Sequence, residues 1–169
     1  MRFLIHLAIC SLAFAFSEVR AADKPATAAP LPAALVQAGC SIMAKVIEVA
    51  GLREKLEQAG PFTCFAPTDE VFRALPEAEL KKFLDPSRRE ELARWVGYLI
   101  VEVDMTEEDL LRSRRLPTLS GDYVSVWVSN GSIKLDHKAT LVRKELHASN
   151  GLIHTLDRLL DPPPPEGEK

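Results

Sequence analysis

Helical hydrophobic spacing dominates the chain up to Leu111 and strand-forming sequence takes over from Tyr123, and this segregation constrains the fold more than any other feature. Ile42, Met43, Val46, Ile47 and Ala50 recur at helical spacing, as do Leu92, Trp95, Val96 and Leu99. Beyond them Tyr123-Val124-Ser125-Val126-Trp127-Val128 is β-prone, and Asn130-Gly131 is a strong hairpin signal leading back into Ser132 to Leu135. Leu146 to Ser149 and Gly151 to Leu156 predict a second strand pair joined through Asn150-Gly151. Helices first and strands later, without alternation, predict an α+β fold with a largely antiparallel sheet system. A parallel nucleotide-binding sheet is disfavoured.

Punctuation places the elements. Ser41 is the expected cap of the first helix and Gly51 its stop. Leu52 to Gln58 reads as a short turn of helix before Gly60-Pro61, and Phe62 to Phe65 as a short strand. Pro67-Thr68 opens a helix with Asp69 and Glu70 in its first turn, where the helix dipole favours anions. Ser87-Arg88-Arg89-Glu90 has capping-box spacing, and Thr106 to Asp109 suggests a cap over a helix ending near Leu111.

The ends read differently. Arg2 followed by apolar Phe3 to Phe16 and by Val19-Arg20-Ala21 predicts a signal peptide over residues 1–21, too short for a membrane span. Residues 22–38 are an Ala/Pro-rich linker by composition, 39–161 the compact domain, and 162–169 a Pro-rich disordered tail. A secreted or periplasmic location follows, with no membrane span in the mature chain. Cys10 leaves with the signal, so Cys40 and Cys64 remain as either one disulfide or two buried thiols, and both readings stay open.

A net charge of −3 and scattered aromatics argue against nucleic acid. Neither a nucleophile-elbow motif nor metal-ligand spacing among His137, His147 and His154 is present, so no catalytic residue, cofactor or metal is expected. His154 alternates with Leu152 and Leu156 and is expected inward, in a structural role. Asn130-Gly131-Ser132 matches a glycosylation sequon, although a hairpin turn accounts for it in full.

Two longer stretches carry a family resemblance. Gly60-Pro61-Phe62-Thr63-Cys64-Phe65-Ala66-Pro67-Thr68-Asp69-Glu70-Val71-Phe72 resembles the first conserved box of fasciclin-type domains, and Asn150-Gly151-Leu152-Ile153-His154-Thr155-Leu156-Asp157-Arg158-Leu159-Leu160 the second. Thr118-Leu119-Ser120-Gly121 resembles the strand and turn between them. The resemblance implies a wedge of two small β-sheets with helices packed on one side. It also implies that Phe65, Pro67, Thr68, Asn150, Gly151, His154 and Asp157 are structural motif residues. After the long helix the family places a Tyr-His pair and a Pro-Gly turn, whereas here Leu99 follows Tyr98 and Val103-Asp104 lacks the turn.

The function implied is adhesion: a monomeric, non-enzymatic module contacting an extracellular or cell-surface protein or polysaccharide. Candidate partner-binding residues are Tyr98 and Leu99 after the long helix, and the basic cluster Arg112, Arg114 and Arg115. A carrier or sensor of a small apolar ligand in the envelope space is the alternative, and a large apolar pocket would favour it.

Overall fold

A computed structural model describes residues 28–164. The signal-peptide expectation, the start of the linker and the last residues of the tail lie outside the described residues.

The first helix falls where a spacer was expected. α1 (Leu31–Gln37) packs Leu31, Ala34 and Leu35 into the core. Its prolines do not oppose this, because Pro30 precedes the helix and Pro32 sits in the first turn, where a missing N–H is harmless. Composition suggested flexibility; the apolar pair Leu31 and Leu35, one turn apart, decides for a helix.

α2 (Ser41–Ala50) ends at Gly51, whose φ of 73° is the left-handed conformation that glycine adopts freely. Ser41 is the first helical residue and not the cap. Asp69, distant in sequence, accepts from the Ile42 N–H at 2.8 Å and occupies the helix end from outside. α3 (Arg53–Glu57) leads into β1 (Phe62–Pro67), then α4 (Asp69–Arg73) and α5 (Glu77–Lys82). The expected box at Ser87 does not form; Asp85 instead accepts from the Ser87 N–H at 2.9 Å, opening a 3₁₀ turn (Pro86–Arg88) into α6 (Arg89–Tyr98). After β2 (Ile100–Val101), α7 (Glu107–Arg112) carries the expected reciprocal cap between Thr106 and Asp109.

The strands β3 (Arg115–Pro117), β4 (Tyr123–Ser129), β5 (Ser132–Leu135), β6 (Ala139–Ala148) and β7 (Gly151–Leu156) join β1 and β2 in the order β2-β1-β7-β6-β5-β4-β3. Only β1 and β7 run parallel. The two strand groups of the wedge meet in β6, which starts at Ala139, upstream of the expected Leu146. Its start pairs with β5 and its end with β7, and register shifts between Leu141 and Leu146 bend it between the two. Asn130-Gly131 makes the expected hairpin, with φ of 50° and 74°. The second turn is Ser149-Asn150, because Ala148 pairs with Gly151, and this leaves the Asn150 side chain free to turn inward.

Apolar faces of α1, α2 and α6 close over the sheet around Phe65, Phe72, Met43, Ile47 and Leu99. Phe72, Phe83 and Trp95 stack edge to face beneath α6.

Cys40 and Cys64 stand as free thiols, both buried. Burial, with the Asp69 charge adding to it, pushes the Cys40 thiol up to about 11, and burial raises Cys64 further. Such thiols are poor nucleophiles. Titration of unreduced protein lacking residues 1–21, and with them Cys10, is expected to detect two thiols after denaturation and none promptly in the native state. No thiol after denaturation would contradict this arrangement.

Candidate partner-binding surface

The two sequence boxes meet as neighbouring parallel strands, Phe62 opposite Gly151 and Pro67 opposite Leu156. Close approach explains the glycines between them. A Cβ on Gly151 would lie 2.0 Å from the Phe62 carbonyl oxygen, and one on Gly60 2.0 Å from that of Asn150. Asn150 ties three segments together. Its Oδ1 accepts from the Leu31 N–H at 2.9 Å, and its Nδ2 donates to the carbonyls of Leu56 and Gln58, each at 2.7 Å.

His154 is fully buried and its ring stacks on Phe65. Nδ1 accepts from the Glu145 N–H at 3.3 Å, so Nε2 carries the proton and donates to the Met105 carbonyl at 2.7 Å. Burial holds the imidazole below its ordinary pKa, against the opposing pull of the Met105 carbonyl. Asp157 accepts from the Thr140 N–H at 2.6 Å, and Thr68 donates its N–H to Leu156 at 3.3 Å just ahead of α4. Asn150 and His154 are spent inside the fold, whereas Asp157 makes its bond at the surface.

Tyr98 and Leu99 are also interior, and this corrects their reading as a contact surface. Leu99 is wholly buried on the α6 face that its spacing from Leu92 and Trp95 defines. Tyr98 is 3% exposed, and its hydroxyl donates to Asp136 at 2.6 Å. Burial, reinforced by that carboxylate, raises the phenol pKa. Neither side chain is available to a partner.

The basic cluster does lie on the surface. Arg112 pairs with Glu108 at 2.5 Å along α7, and Arg114 is exposed. Arg115 begins β3 and sets its guanidinium 4.4 Å from the centre of the Tyr123 ring. Strand alternation places Tyr123, Ser125 and Trp127 on one face of β4, opposite the buried Val124 and Val126. Register adds Arg115 and Pro117 from β3, and Lys134 from β5, to that face. Trp127 carries His137 against it, ring centres 3.7 Å apart.

The fasciclin-domain family profile matches residues 38–162. The chain belongs to the fasciclin domain family. Its similarity to Protein sll1483 of Synechocystis is 33% identity over 123 residues, covering 73% of this chain and 67% of that protein. To the pig transforming growth factor-beta-induced protein ig-h3 the identity is again 33%, over 73% of this chain but 18% of that one. Among solved structures, a FAS1 domain pair from the insect cell adhesion molecule Fasciclin I superposes with a TM-score of 0.67 at 20% identity, covering 79% of this chain and 51% of that one. The chain thus spans a small part of ig-h3 and about half of the fasciclin pair.

The fasciclin domain also has a cleft of about 190 Å³ beside α6, between buried Leu92 and Trp95, half-buried Phe83, and the charged Lys82, Arg88 and Glu91. It is smaller than the roughly 300 Å³ at which small-molecule sites begin, and its charged lining does not suit an apolar ligand. Among the described residues no group of three or more His, Cys, Asp or Glu is placed to hold a metal, and no helix is long and apolar enough to cross a membrane. Sequence reasoning named Arg115 but missed Tyr123, Trp127, Lys134 and His137. The signal was present, since Tyr123, Ser125 and Trp127 alternate with Val124 and Val126, and that alternation marks the outer side of a strand.

Proposed function

We propose that this fasciclin domain is an exported, non-enzymatic interaction module that contacts an extracellular or cell-surface partner, protein or polysaccharide. The observation that carries this reading is the division of its polar residues. Asn150, His154, Tyr98 and Asp136 are consumed in internal hydrogen bonds, whereas Tyr123, Trp127, Arg115 and Lys134, held by no side-chain hydrogen bond or ion pair among the described residues, are turned to the outer face of β3, β4 and β5. Contact surfaces are enriched in Tyr, Trp and Arg. The similarity to a domain pair from an insect cell adhesion molecule supports the same reading.

The test is sedimentation of the purified chain with the envelope or matrix fraction of its source cells. Saturable retention is expected, lost after proteolysis or glycosidase treatment of the fraction according to the partner's class. Retention that never saturates, or none, would overturn the proposal.

A further inference from the structure

We infer that the outer face of β3, β4 and β5 is a binding platform for an acidic polysaccharide. This rests on the interaction-module reading and names the partner class. Two independent observations converge on it, one of shape and one of charge.

Shape comes first. Tyr123 and Trp127 are 50% and 44% exposed on the same outward face of one strand, and Tyr and Trp are enriched at contact surfaces. Each ring is held by a neighbour on one side, Tyr123 by Arg115 and Trp127 by His137. The turn that supplies His137 is unusual. Asp136 and His137 have φ of 50° and 58°, and Lys138 N–H closes the turn onto the Leu135 carbonyl at 2.9 Å. Both are non-glycine residues in the left-handed region, which Asp and His enter more readily than most side chains. Asp136 is anchored there by accepting from Tyr98 and from the Ser125 N–H at 2.9 Å, which fixes His137 over Trp127. The rings are pre-set.

Charge is the second observation. Residues 112–144 contain seven Lys or Arg and two carboxylates, within a chain of 21 basic and 24 acidic residues. Both carboxylates are engaged, Asp122 with Arg94 at 3.3 Å and Asp136 as described. The acids of neighbouring α7 neutralise Arg112 and Lys144. Among the described residues Arg115 and Lys134, both on the platform, make no ion pair. A basic sheet face on an acidic chain attracts anions against the overall charge.

The chemistry then selects the occupant. Tyr123 and Trp127 are four residues apart on a strand, about 13 Å. That is too far to grip one small ligand, and too far to stack successive bases of a nucleic acid strand. It suits an extended polymer whose units repeat. Sugar rings lay their C–H faces on aromatic rings and hydrogen-bond through hydroxyls to groups such as Ser125. Their carboxylates or sulfates would meet Arg115 and Lys134. The open face sets no limit on chain length.

Calorimetric titration of the purified chain with alginate, a polyuronate, and with heparin, a sulfated polymer, tests this, with neutral dextran as control. At least one polyanion is expected to bind, and dextran not. Trp127→Ala should weaken binding about three- to tenfold. Arg115→Gln with Lys134→Gln should weaken it further and flatten its salt dependence. Tyr123→Ser provides an independent variant, and since these side chains lie on the surface, each variant should remain folded, its melting temperature lowered by no more than a few degrees. Binding of neither polyanion, variants that bind as the wild type does, or tighter binding of single-stranded DNA or phosphatidylserine vesicles would each overturn the inference. If the chain is retained on the envelope fraction while alginate and heparin both fail, the module reading survives and the platform does not. If neither experiment shows binding, both readings fall.

Discussion

Asn150→Ala is expected to destabilise the fold by roughly 3–5 kcal/mol, since it orphans three backbone groups that the side chain satisfies. The amide is buried and its partners lie in α1 and around the end of α3, segments far apart in sequence. Leu31 N–H would lose its acceptor at the very start of α1, so that helix should detach first. Asn150→Asp sharpens the test: it keeps an acceptor for Leu31 but aims a carboxylate at the carbonyls of Leu56 and Gln58, and it should be destabilising as well. Urea denaturation measures both. A loss below about 1 kcal/mol for Asn150→Ala would mean that water takes over these bonds and that the segments are not joined through this residue.

His154→Ala should cost roughly 2–4 kcal/mol, combining a ring-sized cavity against Phe65 with unpaired groups at Met105 and Glu145. The wild-type residue also makes stability depend on pH. Its folded pKa lies below the ordinary value of about 6.5, so the unfolded chain takes up a proton that the folded chain refuses. The stability tied to neutral His154 is therefore complete above about pH 6.5 and declines as pH falls toward the depressed folded value. The urea midpoint of the wild type should drop more steeply as pH falls below about 6.5 than that of His154→Gln. Equal slopes would show that the imidazole is not held neutral by burial.

How much of this was legible depended on whether the cause was local. The α2 stop at Gly51, the Thr106–Asp109 cap and the Asn130-Gly131 turn were readable because each is settled within a few residues. The caps that went elsewhere, Asp69 over α2 and Asp85 before α6, turn on the path of the chain and not on spacing. α1 was hidden by an Ala/Pro composition that usually means a spacer, and only the burial of Leu31 and Leu35 reveals it. The inward position of His154 followed from strand alternation. Alternation applied to Tyr123, Ser125 and Trp127 would have exposed the platform too, whereas Arg115 and His137 reach it through register and an unusual turn. Tyr98 was placed at the surface by analogy with a family segment, although the helical spacing of its neighbour Leu99 already pointed inward.

The domain divides into an interior whose buried polar groups build the scaffold and an outer sheet face proposed to meet the partner. Hydrogen–deuterium exchange of the chain, alone and saturated with its envelope or matrix fraction, tests that division most directly. The account predicts slowed exchange across residues 115–137, with α5, α6 and the cleft beside Trp95 unchanged. Protection confined to residues 79–95, with none on β3, β4 and β5, would contradict it.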